Sequence, residues 1–174
     1  MKTVFDILGD ASKGLRFLVI GGHAMQVYGV ARQTLDMDCL AADADMPFLR
    51  RLFVRAGYSE VAGTNNFARF HHKSLYLMDV DVLLVDAATF KKLYQKSGKY
   101  MQSKNELRIP ALPHLIALKL HAIKNAPNHE GRDLADVLEL LRRNPSAISE
   151  RELADLCNRF GPKGFLKKLK VDYD

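Results

Sequence analysis

Residues 17–20, Phe17-Leu18-Val19-Ile20, run into Gly21-Gly22-His23, and residues 31–40 read Ala31-Arg32-Gln33-Thr34-Leu35-Asp36-Met37-Asp38-Cys39-Leu40. A four-residue apolar run closed by two glycines has the pattern of a buried strand rather than a helix. The spacing predicts a helix of about two turns over 23–30 and a second strand over 35–40. Asp36 and Asp38 stand one residue apart in that second strand. Strand side chains alternate between faces, so both carboxylates leave the same face.

The arrangement recurs downstream. Residues 66–72 and 75–85 read as two further strands, the second rich in β-branched residues, and within it lie Asp79 and Asp81 among Met78, Val80, Val82, Leu83 and Leu84. One Asp-x-Asp pair is compatible with an edge strand that uses charge against aggregation. Two such pairs on two strongly apolar strands point instead to chemistry. Like charges at close range repel and lose solvation, and a divalent cation relieves both costs. Hard oxygen ligands of this kind select Mg²⁺ or Mn²⁺. The Gly21-Gly22 pair offers bare backbone amides at a helix start, which suit a phosphate group, although a tight turn uses the same residues. There is no GxxxxGK[ST] and no GxGxxG, which excludes a P-loop and a dinucleotide fingerprint.

Around this centre the sequence predicts a short amphipathic helix over 2–13, a helix over 47–56 with Pro47 at its start, and a turn at Gly57. A helix over 87–95 follows, then a polar, basic loop over 96–110 with room for a short strand. From Pro113 onward helices are expected over 113–125, 132–142 and 149–159. The reading is an α+β protein: a core over 1–110, a mixed sheet flanked by helices, and a helical tail over 111–174 packed on it.

The chain has 174 residues, 26 Lys+Arg against 20 Asp+Glu, a net charge of +6, and 48% hydrophobic residues. That is the composition of an ordinary globular protein, and it excludes disorder and collagen-like or coiled-coil arrays. The longest stretch without a charge, residues 17–31, is shorter than the roughly 20 residues of a membrane span, so no membrane partner is expected. Cys39 and Cys157 show no paired or metal-type spacing, and Asp6 and Asp10 stand where a signal peptide would be apolar, so a cytoplasmic location is expected. The positive charge is concentrated in one half. Residues 1–87 hold 9 basic and 10 acidic residues, whereas residues 88–174 hold 17 and 10. This leaves open a role in binding nucleic acid, with Lys163, Lys167, Lys168 and Lys170 either contacting RNA phosphates or forming the solvated face of a last helix. His71, His72, His114 and His121 lack the carboxylate or cysteine spacing of zinc ligands and read as structural or surface residues.

Lys119 lies in the middle of an apolar helix, where its ammonium needs an anionic partner. Asp133 or Asp136 on the next helix would serve, as would a nucleotide triphosphate.

The order strand, Gly-Gly, helix, Asp-x-Asp strand, later Asp strand resembles the DNA polymerase beta type nucleotidyltransferase superfamily. The tail, with Ala117-Leu118-Lys119-Leu120-His121-Ala122-Ile123 and Arg132-Asp133-Leu134-Ala135-Asp136-Val137, resembles that of its bacterial abortive-infection and toxin–antitoxin branch. The resemblance spans roughly residues 15–142. It implies a minimal nucleotidyltransferase fold and transfer of a nucleoside monophosphate from an NTP to an acceptor hydroxyl on RNA, protein or a small molecule. It further implies Asp36, Asp38 and Asp81 as catalytic, metal-holding residues, with Asp79 in support. Gly21, Gly22, His23, Arg32, Thr34, Lys119, Asp133 and Asp136 are the implied nucleotide-binding residues, and a cognate antitoxin is an implied partner. His23 follows the glycine pair where many members carry Ser. That departure favours a catalytically weak, nucleotidyltransferase-like binding module, whereas the three carboxylates favour the enzyme.

Overall fold

Two parallel strands that meet only through a 43-residue excursion of the chain (81 − 38 = 43) form the centre of a five-stranded mixed sheet. The structure, a computed structural model, describes residues 2–126 and 130–173. The strands are β1 (Leu18–Val19), β2 (Asp36–Ala42), β3 (Tyr58–Thr64), β4 (Phe67–His72) and β5 (Asp79–Val85), ordered β1-β2-β5-β4-β3. β2 and β5 are parallel and the remaining pairs antiparallel. A separate two-stranded ribbon joins β6 (Gly98–Gln102) to β7 (Asn105–Ile109).

Helices α1 (Val4–Ala11), α2 (Gly21–Val27), α3 (Met46–Arg55) and α4 (Ala87–Gln95) are interleaved with the strands. Four more follow: α5 (Leu112–Asn125), α6 (Glu130–Arg143), α7 (Glu150–Phe160) and α8 (Phe165–Tyr173). The chain divides into two compact units: residues 1–24 with 32–110, and residues 25–31 with 111–174. Among the described residues no helix is long and apolar enough to cross a membrane.

In the first unit the period-2 pattern gives the sheet two unlike faces. Met37 and Cys39 of β2, Val80 and Val82 of β5, and Ala68 and Phe70 of β4 are buried, with Phe70 opposite Val80 and Ala68 opposite Val82. Helix α3 supplies Phe53, whose ring lies 4.8 Å from Phe70 and 5.6 Å from Tyr58. Removing such a fully buried ring costs about 3–5 kcal/mol. The intervening residues, Asp36, Asp38, Arg69, Asp79 and Asp81, belong to the opposite face.

The second unit is helical. α5 packs on α6 and α7, and α8 packs on α6 and α7. Asn144 Nδ2 donates to the Tyr28 carbonyl at 2.9 Å, which ties residues 25–31 into this unit.

Several elements differ from the sequence expectation. β3 was not expected, and its burial explains why: only Tyr58 is buried, so the strand carries no hydrophobic alternation. Residues 96–110 form a hairpin rather than a loop, with Leu107 and Ile109 buried. β5 starts at Asp79 instead of residue 75, because a turn from Ser74 to Leu77 leaves Leu75 and Tyr76 exposed. α2 begins at Gly21, two residues earlier than the expected start. α1 is shorter than 2–13. Thr3 caps it, accepting from the Asp6 amide, while the Asp6 carboxylate accepts from the Thr3 amide.

Candidate active site

The parallel register pairs Asp36 with Asp79 and Asp38 with Asp81, which stacks all four carboxylates on one sheet face. Asp36, Asp38 and Asp81 each present one carboxylate oxygen to a cluster whose members lie within 4.8 Å of one another. Oxygens sharing one octahedral Mg²⁺ stand about 3–4 Å apart, so these three are within about an ångström of a ligating set. Three hard oxygen donors, half-buried and converging from two strands, fit a Mg²⁺- or Mn²⁺-type ion.

Each carboxylate is held by its surroundings. The Thr34 hydroxyl lies 3.1 Å from both the Asp36 carboxylate and the Asp36 carbonyl. Gly21 has φ +59°, and a Cβ there would sit 1.9 Å from Asp38 Oδ2. A Cβ on Gly22 would meet the Thr34 side chain at 2.7 Å. The glycine pair is therefore required twice over, by the left-handed backbone at Gly21 and by the space that Asp38 and Thr34 occupy. Arg69 of β4, directly opposite Asp81, grips it with a two-pronged contact: Nε donates to Oδ1 at 2.7 Å and Nη2 to Oδ2 at 2.5 Å. Hydrogen bonding and charge from Asp81, with further attraction from Asp36 and Asp79, push the Arg69 guanidinium pKa above its already high ordinary value. His71 Nδ1 lies 2.8 Å from Asp79 Oδ1. Below the acids, burial raises the Cys39 thiol pKa, with the charges of Asp38 and Asp81 adding to it. Burial and the Asp79 charge push Tyr58 up to about 12, and its hydroxyl donates to the Met78 carbonyl at 3.0 Å.

The structure thus gathers Asp36, Asp38, Asp81, Gly21, Gly22 and Thr34 into one neighbourhood. His23 is buried, its ring edge-on to Phe5 at 5.1 Å. Arg32 is exposed. Lys119 belongs to the helical unit, where its ammonium sits between Asp133 at 2.8 Å and Asp136 at 2.7 Å, so both carboxylates foreseen as partners hold it at once. His72 accepts from the Ser74 amide and His121 contacts Asn125. Lys163, Lys167 and Lys168 are exposed, and the Lys170 side chain lies outside the described residues. Arg69 was not foreseen. Its signal was a single charge between Ala68 and Phe70, and only the strand register sets it against Asp81.

The family model described as "Nucleotidyl transferase AbiEii toxin, Type IV TA system" matches residues 3–164. The chain belongs to this nucleotidyltransferase family. The resemblance read from the sequence and the α+β fold expected of it both hold. Among solved structures, the antibiotic-resistance factor ANT(2'')-Ia superposes with a TM-score of 0.67 at 12% identity, over 96% of this chain and 92% of that one. An antigenic nucleotidyltransferase-like protein from Paracoccidioides brasiliensis follows with a TM-score of 0.55 at 15% identity, over 95% and 89%. The lincosamide antibiotic adenylyltransferase LnuA gives 0.52 at 12% identity, over 76% and 89%. At these identities the likeness is one of fold. No curated protein matches the chain in sequence.

Proposed function

We propose that this AbiEii-family protein transfers a nucleoside monophosphate from an NTP to an acceptor hydroxyl, with Asp36, Asp38 and Asp81 holding Mg²⁺ or Mn²⁺. The observation that carries the reading is the convergence of three carboxylate oxygens within 4.8 Å, on adjacent parallel strands, in a chain of a nucleotidyltransferase family. When bound, the metal supplies positive charge to the triphosphate and lowers the pKa of the acceptor hydroxyl. The chain's own residues do the rest. Thr34 fixes the Asp36 carboxylate, and Gly21 leaves Asp38 the room it occupies. The Gly21-Gly22 backbone, the His23 amide and Arg32 are assigned to the triphosphate. As the acceptor oxygen bonds to the α-phosphorus, the bond to the pyrophosphate oxygen breaks and the hydroxyl proton passes to the Asp81 carboxylate.

Lys119 is assigned chiefly to fastening α5 to α6, because two carboxylates already share its charge. The acceptor class proposed is RNA or protein, and a cognate antitoxin is the proposed partner, as the family description suggests. The test is incubation of the protein with each of the four labelled NTPs, Mg²⁺ and cell RNA or cell protein. Label transferred to a macromolecule, and lost with chelator, is the expected result. Absence of transfer with every NTP, together with absence of NTP binding by calorimetry at millimolar concentration, overturns the reading and leaves a partner-binding module.

A further inference from the structure

Arg69 and Asp81 face each other across β4 and β5, and both carboxylate oxygens of Asp81 are engaged by the guanidinium. Opposite charges at cross-strand positions are an ordinary way to stabilise a sheet. This pair differs in what Asp81 does at the same time, since it also contributes an oxygen to the cluster with Asp36 and Asp38. A carboxylate has about four lone-pair sites, and the guanidinium fork takes the two that point toward it. Any cation drawn to the three carboxylates meets a fixed positive charge already seated on one of them. Exposure is unequal across the pair. The Asp81 side chain is 13% exposed and the Arg69 side chain 45%, so the acid is held by the sheet while the guanidinium has solvent to move into.

We infer that Arg69 is a resident counter-cation of the cluster, and that a divalent metal engages Asp81 in competition with it. Asp36 and Asp38 then form the first landing point for the ion, and Asp81 joins as the guanidinium withdraws toward solvent. Arg69 acts through Asp81 and is a positioning residue. The inference rests on the metal reading of the cluster given above, and it adds a gate to the site's third ligand.

The experiment is a Mn²⁺ titration of the full chain without nucleotide, followed by calorimetry and by the electron paramagnetic resonance signal of free Mn²⁺. The variants are Arg69→Met, which keeps the stem and removes the charge, and Arg69→Lys, which keeps the charge and removes the fork. Arg50→Met serves as a control, because Arg50 grips Glu60 with the same two-pronged geometry between α3 and β3. The expected result is Mn²⁺ binding tightened by about tenfold in Arg69→Met, by less in Arg69→Lys, and unchanged in Arg50→Met. In metal-free buffer Arg69→Met should melt below wild type, and Mn²⁺ should raise its Tm by more than it raises that of wild type. Mn²⁺ binding to wild type that is equal or weaker in Arg69→Met overturns the inference and leaves the metal reading intact. Absence of Mn²⁺ binding in wild type and Arg69→Met alike removes the metal reading itself.

Discussion

The molecule contains two acid clusters built to opposite ends. In the helical unit, Asp133 and Asp136 close around Lys119, and all three side chains are at most 15% exposed. The three charges sum to −1, with the cation central. On the sheet, Asp36, Asp38, Asp81 and Arg69 sum to −2, with the cation at one margin and half in solvent. The first arrangement satisfies a lysine and fastens two helices. The second keeps negative charge concentrated, which is costly without a cation and useful with one. The difference teaches that clustered carboxylates announce a site when the fold has not centred a cation among them.

The sharpest way to break this comparison is to neutralise the sheet cluster. Asp38→Asn should fold, bind NTP poorly in the presence of Mg²⁺, and lose about a thousandfold or more of label transfer, since metal-ligand electrostatics contribute several kcal/mol to such transition states. Transfer by Asp38→Asn at the wild-type rate would show that the cluster is ornamental. The helical cluster should answer in stability instead. Lys119→Met strands two buried carboxylates, which costs about 3–5 kcal/mol, and a chain of this size should then melt roughly 10 °C or more below wild type. A Lys119→Met protein that melts like wild type and yet fails to bind NTP would reverse the assignment and place this lysine on the triphosphate.

The smallest effect concerns a carboxylate held by neutral donors. Asp6 is pulled down to about 2, first by the Thr3 amide, then by the Asn105 amide and the Thr3 hydroxyl. Its folded pKa lies below the unfolded value, so its contribution is present above about pH 4 and is lost as pH falls through about 2. Asp6→Asn should therefore flatten the acid limb of a Tm-against-pH curve in that window and leave the limb above pH 5 unchanged. A limb as steep as wild type would show that neutral donors at this helix cap do little.

The centre of the fold was legible because its signals are local. Asp36-Met37-Asp38 and Asp79-Val80-Asp81 each carry the strand period in three residues, and Phe17-Leu18-Val19-Ile20 ends at glycines whose absent side chains the structure explains. What escaped depended on pairing. β3 has no apolar alternation because an edge strand with one buried residue needs none. The β6–β7 ribbon turns at Ser103, a serine with φ +55°, rather than at the Asn-Gly or Asp-Gly that marks a hairpin in sequence. Leu75 and Tyr76 looked like strand because they are apolar, yet they occupy an exposed turn. The contact of the Thr34 hydroxyl with Asp36 is likewise set by how the loop returns to β2 and has no signal in the sequence. Arg69 could not be singled out until the β4–β5 register was known.

That register also orders events along the chain. Arg69 and Asp81 are 12 residues apart, whereas Asp38 and Asp81 are separated by 43 (81 − 38 = 43). Closing the shorter loop costs less chain entropy, by about 1 kcal/mol. Chain entropy alone therefore favours closing the hairpin that neutralises Asp81 ahead of the parallel pairing, an order in which the strand bearing Asp36 and Asp38 would meet a partner whose charge is already masked. In that order the guanidinium that holds the third carboxylate in the finished protein would also lower the cost of bringing like charges together while it is being made.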